Sequence, residues 1–191
     1  MQRFLDAAFT LIDEKGSTEF TIQEVVERSK QSLRSFYEYF DGKDDLVLAL
    51  FEETMHEART DLDRALATES EPLARLRAYA LCLHDWCDPG EEPRKRGTHT
   101  RRPISEFSMH LTLEHGDRIR ATLAPITQTL CDLIDAAAAA GAIEVRDTRQ
   151  AAVFVQQTVL YSWFGNRLVS NPAHRLSAEQ TWDLCFRGLR G

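Results

Sequence analysis

TIQEVVERSKQSLRSFYEYF, residues 21–40, holds two short helical patterns separated by a polar turn. Thr21 and Glu24 have the Thr-x-x-Glu spacing of a capping box, which predicts a helix starting at Ile22. Ile22, Val25 and Val26 recur at i, i+3 and i+4 and give that helix one buried face. Ser29-Lys30-Gln31 is polar and interrupts the apolar period. A second helix is predicted from about Ser32. Phe36 and Phe40, four apart, mark its inner side, and Arg34 and Glu38 point the other way. Two helices of under three turns, joined by three residues, have the size of a helix-turn-helix. Such a unit sets its second helix in the major groove of DNA.

The flanks extend the pattern. A first helix is predicted from about Arg3 to Lys15, with Leu5, Ala8, Phe9 and Ile12 inward and Gly16 as its stop. Gly42 then takes the cap position of a long helix. Asp44 and Asp45 in its first turn suit the helix dipole, and Lys43 is left to reach a phosphate. The apolar series Leu46, Leu50, Met55, Ala58 and Leu62 carries this helix to about Ala67.

The run resembles the DNA-binding segment of the TetR family of transcriptional repressors. The resemblance rests on Thr21-Ile22, Val25-Val26, Glu27-Arg28, Ser29, Ser32, Phe36-Tyr37, Phe40 and Lys43, taken without a gap. Leu5-Asp6-Ala7-Ala8, Lys15-Gly16 and Lys43-Asp44-Asp45-Leu46 fit on either side. It covers about the first quarter of the chain. Three positions depart from the family pattern. Its turn glycine is Lys30 here, and a lysine in a left-handed conformation costs on the order of 1 kcal/mol relative to Gly. Its buried valine is Gln31, which either weakens the core of the turn or becomes a DNA contact. Its Lys-Gly opening of the recognition helix is Leu33-Arg34. All three fall where bases would be read.

Composition restricts the function classes. The chain has 191 residues, 43% hydrophobic and 28% charged, enough for one or two domains with a real core. The net charge of −7 argues against a general polyanion binder. The first 45 residues hold six Lys and Arg against ten Asp and Glu, a net of −4. Locally the sign reverses: Arg28, Lys30, Arg34 and Lys43 against Glu38 and Asp41 leave +2 on the turn and second helix. Focused charge of that kind suffices for phosphate contact. Only two residues precede Arg3, so no minor-groove arm is expected. No apolar run is long enough to span a bilayer and the start lacks a signal-peptide layout, so no membrane partner and a cytoplasmic location are expected. Cys82, Cys87, Cys131 and Cys185 are expected as buried thiols.

Beyond residue 67 the chain reads as further helices without strands or repeats. One is expected over about Glu71–Trp86, with Leu73, Leu76, Ala80, Leu83 and Trp86 as its apolar set. Residues 88–103 form a loop rich in Pro, Gly and charge. Ile104 to about His115 makes the next helix, broken by Gly116, and Asp117–Ala140 another, ended by Gly141. Asp147 to Val169 is apolar on nearly every side and so needs two burial partners: the chain's own core and a second copy of the chain. A last helix runs from Ser177 to Leu189, capped by Ser177 and Gln180. The total is about nine helices: an all-α chain with an N-terminal three-helix head over 1–45 and a C-terminal six-helix body over 46–191 for effector binding and dimerisation, as the resemblance implies.

Arg34 is the leading candidate for a base contact, since its fork matches guanine O6 and N7. Leu33 either touches a thymine methyl or packs. Gln31, Ser32 and Ser35 are secondary, and Thr21, Tyr37, Tyr39 and Lys43 would hold phosphates. The resemblance also implies an effector pocket in the body. Trp86, Phe107, His110, Thr127, Phe154, Gln157 and Tyr161 mix aromatic surface with polar tips and are its candidate lining, with plain core as the alternative. The basic loop, Arg94-Lys95-Arg96 with Arg101-Arg102, is either solvated or meets an anionic head group. Glu53-x-x-His56 has di-iron spacing without a second copy, and Cys82, His84, Asp85 and Cys87 do not share one helix face. No phosphate loop or nucleophile turn is present, so no catalysis, cofactor or metal is expected. The expected function is a homodimeric, ligand-responsive repressor on a palindromic DNA operator, with a small apolar effector. The alternative is an all-helical ligand-binding or interaction protein that no longer binds DNA.

Overall fold

The structure is a computed structural model that describes residues 1–15, 17–87, 95–96, 99–100 and 104–189. Side chains are described over 1–15, 17–87 and 115–189, apart from 163 and 167. Gly16, most of the loop 88–103 and the side chains of Phe107 and His110 therefore lie outside the described residues.

Among the described residues the elements are helices, apart from a two-residue antiparallel pair, β1 (Lys95–Arg96) with β2 (His99–Thr100). The helices are α1 (Gln2–Lys15), α2 (Ile22–Ser29), α3 (Leu33–Tyr37), α4 (Lys43–Ala67), α5 (Pro72–Cys87), α6 (Ile104–Ala139), α7 (Thr148–Leu168) and α8 (Ala178–Leu189). They group into two compact units. The first is Met1–His56 with Glu91–Thr122, and the second Glu57–Gly90 with Leu123–Gly191.

In the first unit, α1 buries Phe4, Leu5, Ala7, Ala8, Leu11 and Ile12. The aromatic it sends to the core is Phe4, whereas Phe9 is only half-buried. Phe4 meets Phe36 edge-on at 5.5 Å and Phe40 at 6.1 Å, and Phe36 and Phe40 lie 5.3 Å apart. This trio fastens α3 to α1. Phe36 is fully buried, so its truncation to Ala would cost about 3–5 kcal/mol.

α6 differs from expectation. Ile104–His115 and Asp117–Ala139 join in one helical run, kinked where His115 leaves helical geometry at φ −126°, ψ 33°. The run ends as expected at Gly141, which is left-handed (φ 71°). Gly141 N–H reaches Ala138 O and Ala142 N–H reaches Ala137 O, the paired bonds of a Schellman cap.

In the second unit, α5 turns a wider face inward than its Leu and Ala positions suggest. Tyr79 and His84 are buried with Leu76, Ala80, Trp86 and Cys87. Tyr79 is tolerated there because its hydroxyl donates to Ile126 O (3.4 Å) and accepts from Gln156 Nε2 (3.3 Å), which also donates to Thr127 Oγ1 (3.1 Å). Burial raises the Tyr79 pKa well above its usual range, so this network is neutral. The α8 cap is the expected one: Gln180 N–H donates to Ser177 Oγ and Ser177 N–H to Gln180 Oε1. None of the four cysteines is in a disulfide; Cys87, Cys131 and Cys185 are buried and Cys82 half-buried.

Candidate nucleic-acid interface

The turn between α2 and α3 is built from three local devices. Thr21 caps α2: its hydroxyl accepts from Glu24 N–H (3.2 Å), and Glu24 Oε2 accepts from Thr21 N–H (2.8 Å). Lys15 Nζ donates to the other oxygen of Glu24 at 2.7 Å. That ammonium, together with the Thr21 donors, holds the Glu24 carboxyl down at about 2. At the other end of α2, Lys30 is left-handed (φ 54°, ψ 35°). Lys30 N–H bonds to Glu27 O and Gln31 N–H to Val26 O, a Schellman motif with lysine where glycine is usual. Ser32 then caps α3, its hydroxyl accepting from Ser35 N–H at 3.0 Å.

These caps consume some of the expected DNA contacts. The Gln31 side chain is half-buried and donates to Lys30 O at 3.1 Å, so its amide serves its own turn. The Ser32 hydroxyl spends an acceptor on the cap and keeps its proton to donate. Leu33, Arg34, Tyr37 and Glu38 are exposed, while Phe36 is buried. The Arg34 side chain is 92% exposed, with Glu38 Oε1 3.7 Å from its Nε in a loose i,i+4 pair. The Tyr37 ring stands edge-on to Phe36 at 5.4 Å, and Tyr39 tilts against Phe4 at 6.3 Å. Both rings are anchored on the core although their residues are about half exposed. Lys43 Nζ sits 5.1 Å from the centre of the Phe20 ring, a cation–π contact that leaves its charge unneutralised.

The positive charge is smaller than a count of residues suggests. Arg28 forks onto Glu14 and is withdrawn from the surface field. Asp45 accepts from Asp41 N–H with one oxygen (3.3 Å) and from Arg118 with the other (2.7 Å). Arg118 also reaches Glu52 at 3.0 Å. The cations left for a phosphate near the turn are Lys30, Arg34 and Lys43.

Residues 4–50 match the sequence profile of the family described as bacterial regulatory proteins, tetR family. The head is thus similar to the DNA-binding segment of that family. A curated relative, the HTH-type transcriptional regulator BetI of Brucella anthropi, is 30% identical over 77 residues, which is 40% of this chain and 40% of BetI. The match thus spans well under half of either protein. Solved TetR-like structures extend the likeness of fold to the body. A tetR-family regulatory protein from Rhodococcus RHA1 superposes with a TM-score of 0.69 at 19% identity, covering 98% of this chain and 95% of that one. The regulator FadR from Bacillus subtilis, solved with stearoyl-CoA, superposes with a TM-score of 0.71 at 15% identity, covering 100% of this chain and 97% of FadR.

Of the seven expected effector residues, Phe107 and His110 lie outside the described side chains, and the other five do not share one environment. Trp86 is buried and Thr127 is half-buried beside Gln156. Phe154, Gln157 and Tyr161 are instead exposed on α7. They form one stripe with Phe164 and Leu168, at alternating spacings of three and four. The reason is phase: α7 spends Ala151, Ala152, Val155 and Val159 on its own core, which turns 154, 157 and 161 outward. Among the described residues, no group of three or more His, Cys, Asp or Glu side chains is placed to hold a metal ion, and no helix is long and apolar enough to cross a membrane.

Proposed function

We propose that this chain is a one-component transcriptional repressor that binds a roughly palindromic DNA operator as a homodimer and releases it when a small, apolar effector occupies the body. One observation carries the reading. α3 is fixed from behind by Phe36 and Phe40 and capped at its start by Ser32, and it turns Arg34 outward almost wholly exposed. In this role Arg34 pairs with guanine O6 and N7. Thr21, Tyr37, Tyr39 and Lys43 hold phosphates, and Ser32 and Ser35 support the register. The protein works in the cytoplasm without cofactor or catalysis.

The stripe on α7 supports the homodimer. Spacings of three and four make an a/d seam, which needs an apolar partner. Leu184 of α8 is likewise exposed. Gln157, polar within an apolar seam, would set the register of two copies. Phe154, Gln157 and Tyr161 are therefore assigned to the seam. Trp86 and Thr127, with Phe107 and His110, stay as the proposed effector lining, and the stearoyl-CoA of FadR supports an apolar effector. Release requires an effector that prefers the conformation unable to bind DNA. α4, which begins at Lys43 and runs 25 residues, is the proposed lever.

The acidic head and the locked Arg28 favour a second reading, a helical ligand-binding protein that no longer binds DNA. Selection from a random duplex pool, followed by a salt titration of the winners, decides between them. An enriched palindrome with salt-dependent affinity is expected; a pool that stays random leaves only the second reading.

A further inference from the structure

We infer that the operator half-site carries a thymine whose C5-methyl group meets Leu33. This rests on the DNA-binding reading above and names part of the sequence that reading leaves open.

Leu33 is the first residue of α3 and is 45% exposed. A single exposed leucine is ordinary on a protein surface. Here its position is what matters. The core does not need it, because Phe36 and Phe40 form the inner side of this segment and are buried. The turn does not need it either. Lys30 and Gln31 close α2 through their backbone N–H groups, and Ser32 supplies the cap of α3. Leu33 stands instead beside Arg34, at the end of α3 that enters a groove first.

The chemistry of the groove then selects its partner. Every base edge in the major groove presents hydrogen-bonding groups, and only thymine adds an apolar one, its methyl. A leucine pressed against any other edge strips water from a donor or acceptor and returns nothing. Leu33 and Arg34 are consecutive on α3, about 1.5 Å apart along its axis, so both fall within the same half-site.

The experiment uses the full chain and the duplex enriched from the random pool. Each thymine of the half-site is replaced singly by uracil, which lacks only the methyl, and equilibrium affinity is measured for the wild type and for Leu33→Ala. One position should weaken wild-type binding about fourfold, the worth of one buried methyl group. At that position Leu33→Ala should bind the thymine and uracil duplexes alike. A uracil scan that is flat for the wild type, or one whose sensitive position is unchanged in Leu33→Ala, overturns the inference while leaving the palindrome and its repressor intact. Failure to enrich any palindrome removes both.

Discussion

Arg28 and Glu14 meet fork to fork, with Nη1–Oε1 at 2.7 Å and Nη2–Oε2 at 2.6 Å. The pair ties the end of α2 to the end of α1, and each partner shifts the other: Glu14 is held below the ordinary carboxylate range and Arg28 above its own. Its role is therefore to hold the head together. Arg28→Met is expected to lower the melting temperature while leaving the salt dependence of DNA binding unchanged, because no phosphate contact is lost. Glu14→Gln should do the same, and the double variant should cost less than the two singles together. Thermal melts of the four proteins form the cycle that checks this.

Acid should act on the same corner of the molecule. The Glu24 carboxyl sits at about 2 in the folded head against an ordinary 4.5. A depressed carboxyl binds fewer protons folded than unfolded, so its contribution is complete above 4.5 and is lost as the pH falls toward 2. Glu14 shifts in the same direction. The melting temperature should fall through that window, and Glu24→Gln should flatten the fall. A series of thermal melts against pH reads both.

Lys30 offers a test in the opposite direction. At φ 54° its Cβ crowds the backbone, and glycine there should stabilise the protein by about 1 kcal/mol. For a chain of this size that is roughly 2–4 °C. Lys30→Ala keeps the crowding and should leave stability near the wild type. If the two variants melt together, the left-handed turn is not what limits the head.

The caps were legible in the sequence, and the ties between helices were not. Thr21 with Glu24, Ser177 with Gln180 and Gly141 each act within a few residues, so spacing alone exposes them. Glu14 and Arg28 stand fourteen apart on different helices, and Arg118 reaches Asp45 across 73 positions. No periodicity records such partners. Phe4 was missed because α1 has apolar residues on two adjoining faces, and only its meeting with Phe36 and Phe40 shows which face carries the ring. That Phe154, Gln157 and Tyr161 stand exposed was not legible for a related reason. A helix apolar all round announces that both sides are covered without saying which side faces what.

On DNA, Arg34 and Lys43 should separate cleanly. Arg34→Ala is expected to cost about 1–3 kcal/mol on the operator and to relax discrimination at one base pair. Lys43→Ala should weaken every duplex alike and reduce the salt slope by about one. Binding isotherms at several salt concentrations, on operator and on scrambled duplex, distinguish the two behaviours.

In the proposed homodimer, folding is a matter of dose. Phe164 and Leu168 are exposed on the single chain, and pairing of two copies along α7 would cover them. The melting point should then climb with the logarithm of protein concentration. At the few copies a cell keeps of a scarce protein, abundance itself would set how much of the chain survives long enough to act.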